Sequence, residues 1–323
     1  MRVVMSRRRR ERTLIDGFLL LDKPAGVSSN NVLQQVRRLY DADKAGHTGS
    51  LDPFATGLLP ICFGQATKLG GFLLESDKRY QAQVLLGVQT STGDPEGEVI
   101  ATSDPSAVTR EQIEAVLPRL LGNIEQVPPM YSAIKQAGRH LYELAREGLE
   151  VDRQPRQVRI HELKLLDVSP SGFSFEVFCS KGTYIRTLGE DWAALLGQKG
   201  HLIGLRRLET GPFRQVRMVT MADLDACNFD AHRLQALLMP LSAALGDWPR
   251  LEVDDFDAAR LRRGLECGPY PMAEPGEVIV YGAHGLACSI AEVNAQRRVL
   301  PRRWIGPEPT EEMLAATFSP RRP

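Results

Sequence analysis

The most unusual stretch of the chain places a single carboxylate among turn-forming residues. It covers residues 46–57, which contain several glycines, and Asp52 stands directly before a proline. Proline keeps the residue before it out of the helical region, so the Asp52 carboxylate can project from a fixed turn. A carboxylate held in this way can act as a nucleophile or as a base. An aspartate that only closes a turn has the same pattern, so the spacing alone leaves both interpretations open.

A second candidate segment, residues 179–188, joins the end of a predicted strand to the start of a predicted helix over residues 183–196. Helix starts carry free N–H groups and Lys181 adds positive charge, so the segment suits an anionic ligand. Arg186 lies next to Ile185 on the apolar side of this helix, which allows a partly buried guanidinium that pairs with a carboxylate. A solvent-facing arginine fits the same periodicity.

A third candidate is Tyr80, which lies on the inward face of a strand predicted over residues 76–88. Apolar residues alternate along this segment in the same phase as Tyr80, as in a half-buried strand. An aromatic ring at this position can line a site, and an ordinary core tyrosine has the same pattern.

No metal or nucleotide cofactor is predicted. The six histidines are scattered and do not cluster with cysteines or carboxylates, and the five cysteines are widely spaced without a C-x-x-C pair. The glycine patterns of dinucleotide-binding and phosphate-binding loops are also missing.

The elements that must position these residues indicate an α+β fold with a mixed or antiparallel sheet, because strands and helices follow each other without regular alternation. Ser28 or Ser29 can cap the first helix. The other predicted strands cover residues 17–22, 157–168, 173–179, 277–281 and 286–293, and a further helix covers residues 109–121.

The length of 323 residues suggests about two domains. The arginine-rich residues 1–15 are predicted to be a disordered basic arm. Residues 16–249 form the main domain, with an insertion at about residues 126–150. From Pro249 onward the pattern changes to short β segments, so residues 250–323 are predicted to form a small β-rich domain and tail.

Composition and charge narrow the class of protein. With 43% hydrophobic and 25% charged residues the chain is typical of a globular protein, and its apolar stretches are too short to span a membrane. We therefore expect a cytoplasmic protein. Its formal net charge is zero, yet residues 1–12 carry a net charge of +5 and residues 181–217 a net charge of +4. These local basic faces suit an anionic partner.

Six motifs contain or flank these candidates and cover residues 20–30, 45–60, 77–80, 129–135, 181–186 and 205–208. They resemble motifs of the TruB family of bacterial tRNA pseudouridine synthases. The resemblance runs continuously over about residues 17–220, and residues from about 251 onward are similar only in pattern to the family's PUA-type RNA-binding module. The resemblance implies an α+β fold around a mixed sheet with a catalytic cleft along it.

The resemblance also assigns roles to individual residues. The catalytic aspartate falls on Asp52, the aromatic active-site residue on Tyr80 and the basic partner on Arg186. The residues that match substrate-contacting positions, together with the lysine at the helix start, are His47, Tyr184, Leu205, Asp94 and Lys181.

The activity implied by the resemblance is conversion of the T-loop uridine at tRNA position 55 to pseudouridine by a monomeric enzyme that needs no cofactor. The target base must leave its stack, and His47 is predicted to fill the gap. The insertion would clamp the T arm. The arginines predicted to contact phosphates are Arg206, Arg207, Arg214 and Arg217 in the main domain and Arg297, Arg298, Arg302 and Arg303 near the C-terminus.

Two alternatives come from other classes of function. A non-catalytic RNA chaperone or binding module would keep the basic faces and aromatic residues but would not need Asp52. A guide-RNA-dependent relative would share the catalytic motifs, with a shorter connection after the Pro128–Pro129 turn than this chain has.

Overall fold

A computed structural model gives the fold of the chain and describes residues 13, 15–132, 134–136, 138–246, 248–283 and 285–306. The predicted basic arm lies almost entirely outside the described residues, and so does the end of the predicted tail. None of the described helices is both long and apolar enough to cross a membrane.

The strands, in chain order, are β1 Gly17–Lys23, β2 Ala45–His47, β3 Thr56–Phe63, β4 Lys78–Leu86, β5 Val88–Thr90, β6 Val99–Thr102, β7 Gly122–Gln126, β8 Lys135–Gln136, β9 Arg139–His140, β10 Arg156–Ser169, β11 Gly172–Cys179, β12 Gly200–Thr210, β13 Arg250–Glu252, β14 Gly276–Tyr281, β15 Ala287–Val293 and β16 Val299–Trp304. The α-helices are α1 Ser29–Leu39, α2 Gly70–Leu74, α3 Arg110–Ala115, α4 Leu141–Arg146, α5 Ile185–Leu195, α6 Met221–Asp225, α7 Ala231–Gln235 and α8 Asp255–Arg262.

Among the described residues, eight strands form one mixed sheet. Seven of them follow the order β1-β3-β12-β4-β11-β10-β7. The eighth, β2, lies outside this order and pairs with β3. Neighbouring strands run antiparallel except β12 and β3, which are parallel. The mixed sheet predicted from the sequence is confirmed.

Helix α5 covers the central strands of this sheet. Its Leu188 and Trp192 side chains are fully buried against Phe173 and Phe175 of β11. The indole N–H of Trp192 also donates to the carbonyl of Ile113 in α3, at 3.2 Å. This packing fixes the start of α5, where Arg186 lies.

The helix predicted over residues 109–121 ends earlier than expected. Thr109 caps α3, and the α-helix ends at Ala115. The chain continues as a 3-10 helix over Leu117–Leu120, with Pro118 near its start. Proline has no N–H to donate and disturbs the preceding α-helical turn, which accounts for the break.

The C-terminal segment forms a second sheet of order β13-β14-β15-β16, flanked by α8. Ile279, Ile290 and Ile305 of this segment pack in one apolar cluster with Phe18 and Phe213 of the main sheet and its neighbourhood. The β-rich pattern is therefore observed, and the C-terminal sheet shares a core with the rest of the chain. The division at Pro249 stays a prediction.

Candidate active site

The segment that carries Asp52 lies between β2 and β3 and is held by a buried lysine. Lys23, at the end of β1, is fully buried, and its ammonium donates to the carbonyls of Pro53 at 3.1 Å and Ala55 at 2.7 Å. A third bond goes to the carbonyl of Pro24 at 2.8 Å. Burial lowers the pKa of Lys23 to about 8, and the negative charge of Asp52 partly opposes this. The lysine thus fixes the backbone that follows the aspartate.

The backbone before Asp52 is fixed from helix α1. The Ser29 hydroxyl donates to the carbonyl of Leu51 at 3.0 Å and accepts from its N–H at 2.8 Å. The N-cap of α1 is Ser28, whose side chain accepts from the N–H of Asn31. Of the two serines that the sequence offers as caps, one caps the helix and the other anchors the loop.

Arg186 lies in the first turn of α5 and is only 4% exposed. Its Nε lies 3.0 Å from Asp52 Oδ2 and its Nη2 3.4 Å from Asp52 Oδ1. Its Nη1 donates to Asp94 Oδ2 at 3.2 Å and to the carbonyl of Thr92 at 2.9 Å, and Nη2 donates to the carbonyl of Tyr131 at 2.7 Å. Every guanidinium nitrogen is therefore used, and Arg186 is not a solvent-facing helix arginine.

Asp94 is the second carboxylate of this network and is almost completely buried. It lies in the turn between β5 and β6, where its Oδ1 accepts from the Thr92 hydroxyl at 2.5 Å and from the N–H of Glu96 at 3.0 Å. The turn thereby presents both a carboxylate and the Thr92 carbonyl to Arg186. We call the ion-paired set of Asp52, Arg186 and Asp94 the Asp–Arg network.

The Asp52 side chain is 36% exposed, so it is the open end of the network. Removal from bulk water raises the pKa of Asp52 above its ordinary value, and Arg186 opposes this rise. Asp94 raises the pKa further, whereas Lys23 lowers it. A two-point contact with a guanidinium favours the ionised form and fixes its orientation. The arrangement presents one oriented carboxylate to a ligand.

Tyr80 and Leu205 lie beside this network. Both are at most 9% exposed and belong to one apolar cluster with Leu51 and Ala55, the residues on either side of the Asp52 turn. Tyr184 immediately precedes α5, and Gln126 bonds to both its N–H and its carbonyl.

His47 ends β2 and is half-buried, and its Nδ1 has no hydrogen-bond partner in the described part of the chain. Burial lowers the pKa of His47, and the charge of Arg207 lowers it further. This shift favours the neutral form of the ring.

Lys181 is not brought into the network. Its side chain is 55% exposed and pairs with Glu75.

Among the arginines predicted to contact phosphates, Arg214 and Arg217 are exposed and Arg206 forms a two-point pair with Asp22. The prediction for Arg207 is wrong, because that side chain is 1% exposed and donates to backbone carbonyls. Alternation along β12 turns one arginine of the pair outward and the next inward.

Comparison with known proteins places this chain in a family. The N-terminal domain model of TruB family pseudouridylate synthases matches residues 37–185, and the C-terminal domain model of tRNA pseudouridylate synthase B matches residues 186–246. The chain belongs to the TruB family. Proteins of this family are tRNA pseudouridine synthases, so the protein is an isomerase that forms pseudouridine.

Relatives of known name extend over most of the chain. The tRNA pseudouridine synthase B of Nitrosococcus oceani is 47% identical over 90% of this chain and 95% of its own length. The protein of the same name from Chromohalobacter salexigens is 53% identical over 80% of this chain and 83% of its own. This TruB family member is thus similar to them beyond the segments that the sequence motifs occupy.

Solved structures show the same fold at lower identity. A chain in the crystal structure of a Cbf5–Nop10–Gar1 complex matches with a TM-score of 0.70 at 23% identity, over 91% of this chain and 86% of its own. A chain in the structure of an H/ACA RNP bound to a substrate RNA containing 2′-deoxyuridine matches with a TM-score of 0.69 at 21% identity, over the same shares. Both similarities concern the fold of this TruB family chain.

Proposed function

We propose that this enzyme converts the T-loop uridine at position 55 of tRNA to pseudouridine. The observation that carries the proposal is the Asp–Arg network, in which a partly open carboxylate is held by a buried guanidinium. The relatives named tRNA pseudouridine synthase B support tRNA as the substrate, since their similarity extends over at least four-fifths of this chain.

The reaction breaks the bond between uracil N1 and ribose C1′, turns the free base, and joins C5 to C1′. One proton leaves C5 and one is gained at N1, so the reaction needs no oxidant, reductant or energy source. Asp52 starts it either by attacking the sugar as a nucleophile or by removing a sugar proton. Arg186 keeps the carboxylate ionised and aimed in both routes.

The remaining roles follow from the kind of side chain at each position. Tyr80 stacks on the uracil, and its hydroxyl serves in late proton transfer. Tyr184 and Leu205 line the site, and the ring of His47 fills the space that the extruded base leaves. Asp94 acts through Arg186, because its carboxylate binds the guanidinium.

The segment between β7 and β10, where the sequence predicts the insertion, clamps the T arm. This segment contains the short hairpin β8–β9 and helix α4. Lys135 and Arg139 are exposed there, and the Arg146 guanidinium lies 5.5 Å from the centre of the Tyr142 ring. Basic and aromatic side chains on one projecting segment suit the phosphates and bases of a folded RNA loop.

The two alternatives are disfavoured by different observations. A binding module without catalysis has no use for the complete Asp–Arg network. A guide-RNA-dependent enzyme shares the fold, but the named relatives at 47% and 53% identity favour an enzyme that acts on tRNA without a guide RNA.

The position of the modified uridine is tested with an unmodified tRNA transcript. Purified protein should produce one pseudouridine at position 55, found by chemical mapping at single-nucleotide resolution. A transcript with cytidine at position 55 should gain none there and serves as the matched control. Pseudouridine at another position only would refute the T-loop assignment.

The pH dependence of the reaction tests the electrostatics of the network. Asp52 must be ionised to act, so activity should fall as the pH drops through a pKa that lies above the ordinary aspartate value. Asp94→Asn removes a negative charge that raises this pKa, so the acid limb should move to lower pH although the maximal rate falls. Single-turnover rates measured from pH 4 to 8 check this, with circular dichroism as a control for folding. An acid limb that stays in place or moves to higher pH would contradict the network.

The arginines of the C-terminal sheet give a further test. Arg297, Arg298 and Arg302 pair with Glu274, Glu266 and Glu292, respectively. Such exposed pairs are worth only about 0–1 kcal/mol, so the arginines remain available to phosphates. Replacing these three and Arg303 with glutamine should weaken tRNA binding and reduce its salt slope by about one for each phosphate that is no longer bound, while the saturated chemical rate is kept.

The matched control replaces the three partner glutamates with glutamine, which should tighten binding. Point substitutions are preferred to deletion of residues 250–323, because deletion would uncover the shared apolar cluster around Ile279 and Phe18. Unchanged affinity and salt slope in the arginine variant would show that these residues do not touch the RNA.

A further inference from the structure

Arg207 is a buried cation that the proposed function does not use. It lies on β12 directly opposite Tyr80 of β4, in an antiparallel pair. Side chains of directly opposed residues project from the same face of a sheet. Arg207 is 1% exposed and Tyr80 is 8% exposed, so both side chains lie on one face of the sheet, away from solvent.

Arg207 is fixed by the backbone on both sides of Asp52. Its Nε donates to the carbonyl of Leu58 at 2.7 Å, and its Nη2 donates to the carbonyl of Gly49 at 3.0 Å. Gly57, with φ of +97°, pairs with Arg207 across β3 and β12 and lets the two backbones come close, because a Cβ there would overlap the Arg207 carbonyl oxygen. Within the described residues no carboxylate forms an ion pair with Arg207, so a buried positive charge is held by backbone carbonyls beside a phenol. A buried charge is costly, which calls for a role beyond filling space.

We propose that Arg207 is a positioning residue for Tyr80: the Gly49 and Leu58 carbonyls fix its guanidinium, and the guanidinium fixes the Tyr80 hydroxyl. The proposal rests on the proposed function in that Tyr80 faces the substrate base. Burial raises the pKa of Tyr80, and the charge of Arg207 acts in the opposite direction, as expected for a cation on the same buried face of the sheet as the phenol.

The position of Arg207 separates its effect on chemistry from any effect on RNA binding. A side chain that is 1% exposed cannot touch tRNA phosphates. Its removal should therefore lower the rate of the chemical step and leave the affinity for tRNA nearly unchanged. A residue needed only for folding would instead lower the fraction of active protein.

A double-mutant cycle tests whether Arg207 acts through the Tyr80 hydroxyl. Arg207→Gln should lower the single-turnover rate at saturating enzyme by about 10²-fold, with the Kd for tRNA within about twofold of wild type. In a Tyr80→Phe background the same substitution should cost less than about fivefold, because the hydroxyl that it positions is already gone. Equal losses in both backgrounds, or a parallel loss of affinity, would overturn the proposal.

Arg79 provides the matched control. It is also a cation of β4, but its side chain projects from the face opposite to Tyr80 and pairs with Glu162, Glu176 and Glu209. Arg79→Gln and Tyr80→Phe should have additive effects. Where Arg207→Gln fails to fold, the cycle is run with Arg207→Lys, which keeps the charge but cannot reach both carbonyls and the hydroxyl at once.

A readout without substrate distinguishes failure of this proposal from failure of the proposed function. A fluorinated tyrosine is placed at position 80 and its phenol is titrated by ¹⁹F NMR. Arg207→Gln should raise the pKa of this phenol, and Arg79→Gln should change it less. A phenol whose pKa is the same with and without Arg207 would refute the contact even if the enzyme modifies tRNA as proposed.

Discussion

Replacing Asp52 with asparagine should abolish pseudouridine formation and leave tRNA binding intact. The amide is nearly isosteric with the carboxylate and keeps a hydrogen bond to Arg186, so the pocket should keep its shape. It can neither attack the sugar nor accept a proton. A single proton transfer is worth about 10²–10⁴-fold, and Asp52 starts the whole reaction, so we expect a loss of more than about 10⁴-fold in the single-turnover rate.

Asp77→Asn is the control for this experiment, because Asp77 lies outside the Asp–Arg network and pairs with His161. It should retain wild-type activity. Both variants are compared for tRNA affinity and thermal unfolding. An Asp52→Asn enzyme within tenfold of the wild-type rate would exclude Asp52 as the group that begins the reaction.

Arg186→Lys should be the next most damaging substitution. Lysine keeps the positive charge but has one nitrogen, whereas Arg186 uses all three of its nitrogens to hold Asp52, Asp94 and two backbone carbonyls. Asp52 would lose its two-point contact and therefore its fixed orientation. We expect the single-turnover rate to fall by about 10²–10³-fold, and the affinity for tRNA by only a few-fold.

Arg79→Lys is a matched control, since Arg79 also bridges several carboxylates, those of Glu162, Glu176 and Glu209. Arg79 and Tyr80 are successive residues of β4, so their side chains project from opposite faces of the sheet. Its replacement should change the rate by only a few-fold. Wild-type single-turnover rates in Arg186→Lys would reject the pairing as part of the mechanism.

Much of the fold could be predicted because local patterns determined it. The alternation in residues 173–179 and the helical spacing of Leu188 and Trp192 each identify one apolar face, and the structure buries both faces against each other. The end of α3 was harder to predict from the sequence, because the apolar pattern continues on both sides of Pro118, where the α-helix has already ended.

The residues of the candidate site that lie in recognisable motifs could be predicted from the sequence. The contacts that hold them could not, because they join residues far apart in the chain. The sequence predicts Lys23 as a turn residue, yet its ammonium donates to the carbonyls of Pro53 and Ala55, 30 and 32 residues further along the chain. No local spacing can reveal that contact. Asp94 likewise binds a residue 92 positions away, and only the resemblance singled it out.

Arg207 shows how a local pattern can mislead. Two adjacent arginines in a basic segment suggest a phosphate-binding surface, and for the exposed side of β12 this interpretation remains open. The strand periodicity of residues 200–210 was the available signal, because consecutive strand residues face opposite sides. Recognising that strand would have assigned one of the two arginines to the face of Tyr80.

A single-turnover time course decides whether this chain alone, through Asp52, isomerises a uridine in tRNA. The protein is first treated with nuclease, purified again and dialysed against a chelator. We expect an unmodified tRNA transcript to gain one pseudouridine per molecule, at the same rate before and after this treatment, and Asp52→Asn to give none. Conversion that requires an added small RNA, metal ion or organic cofactor would show that the chain does not act alone, and conversion by the Asp52→Asn protein would show that Asp52 does not start the reaction.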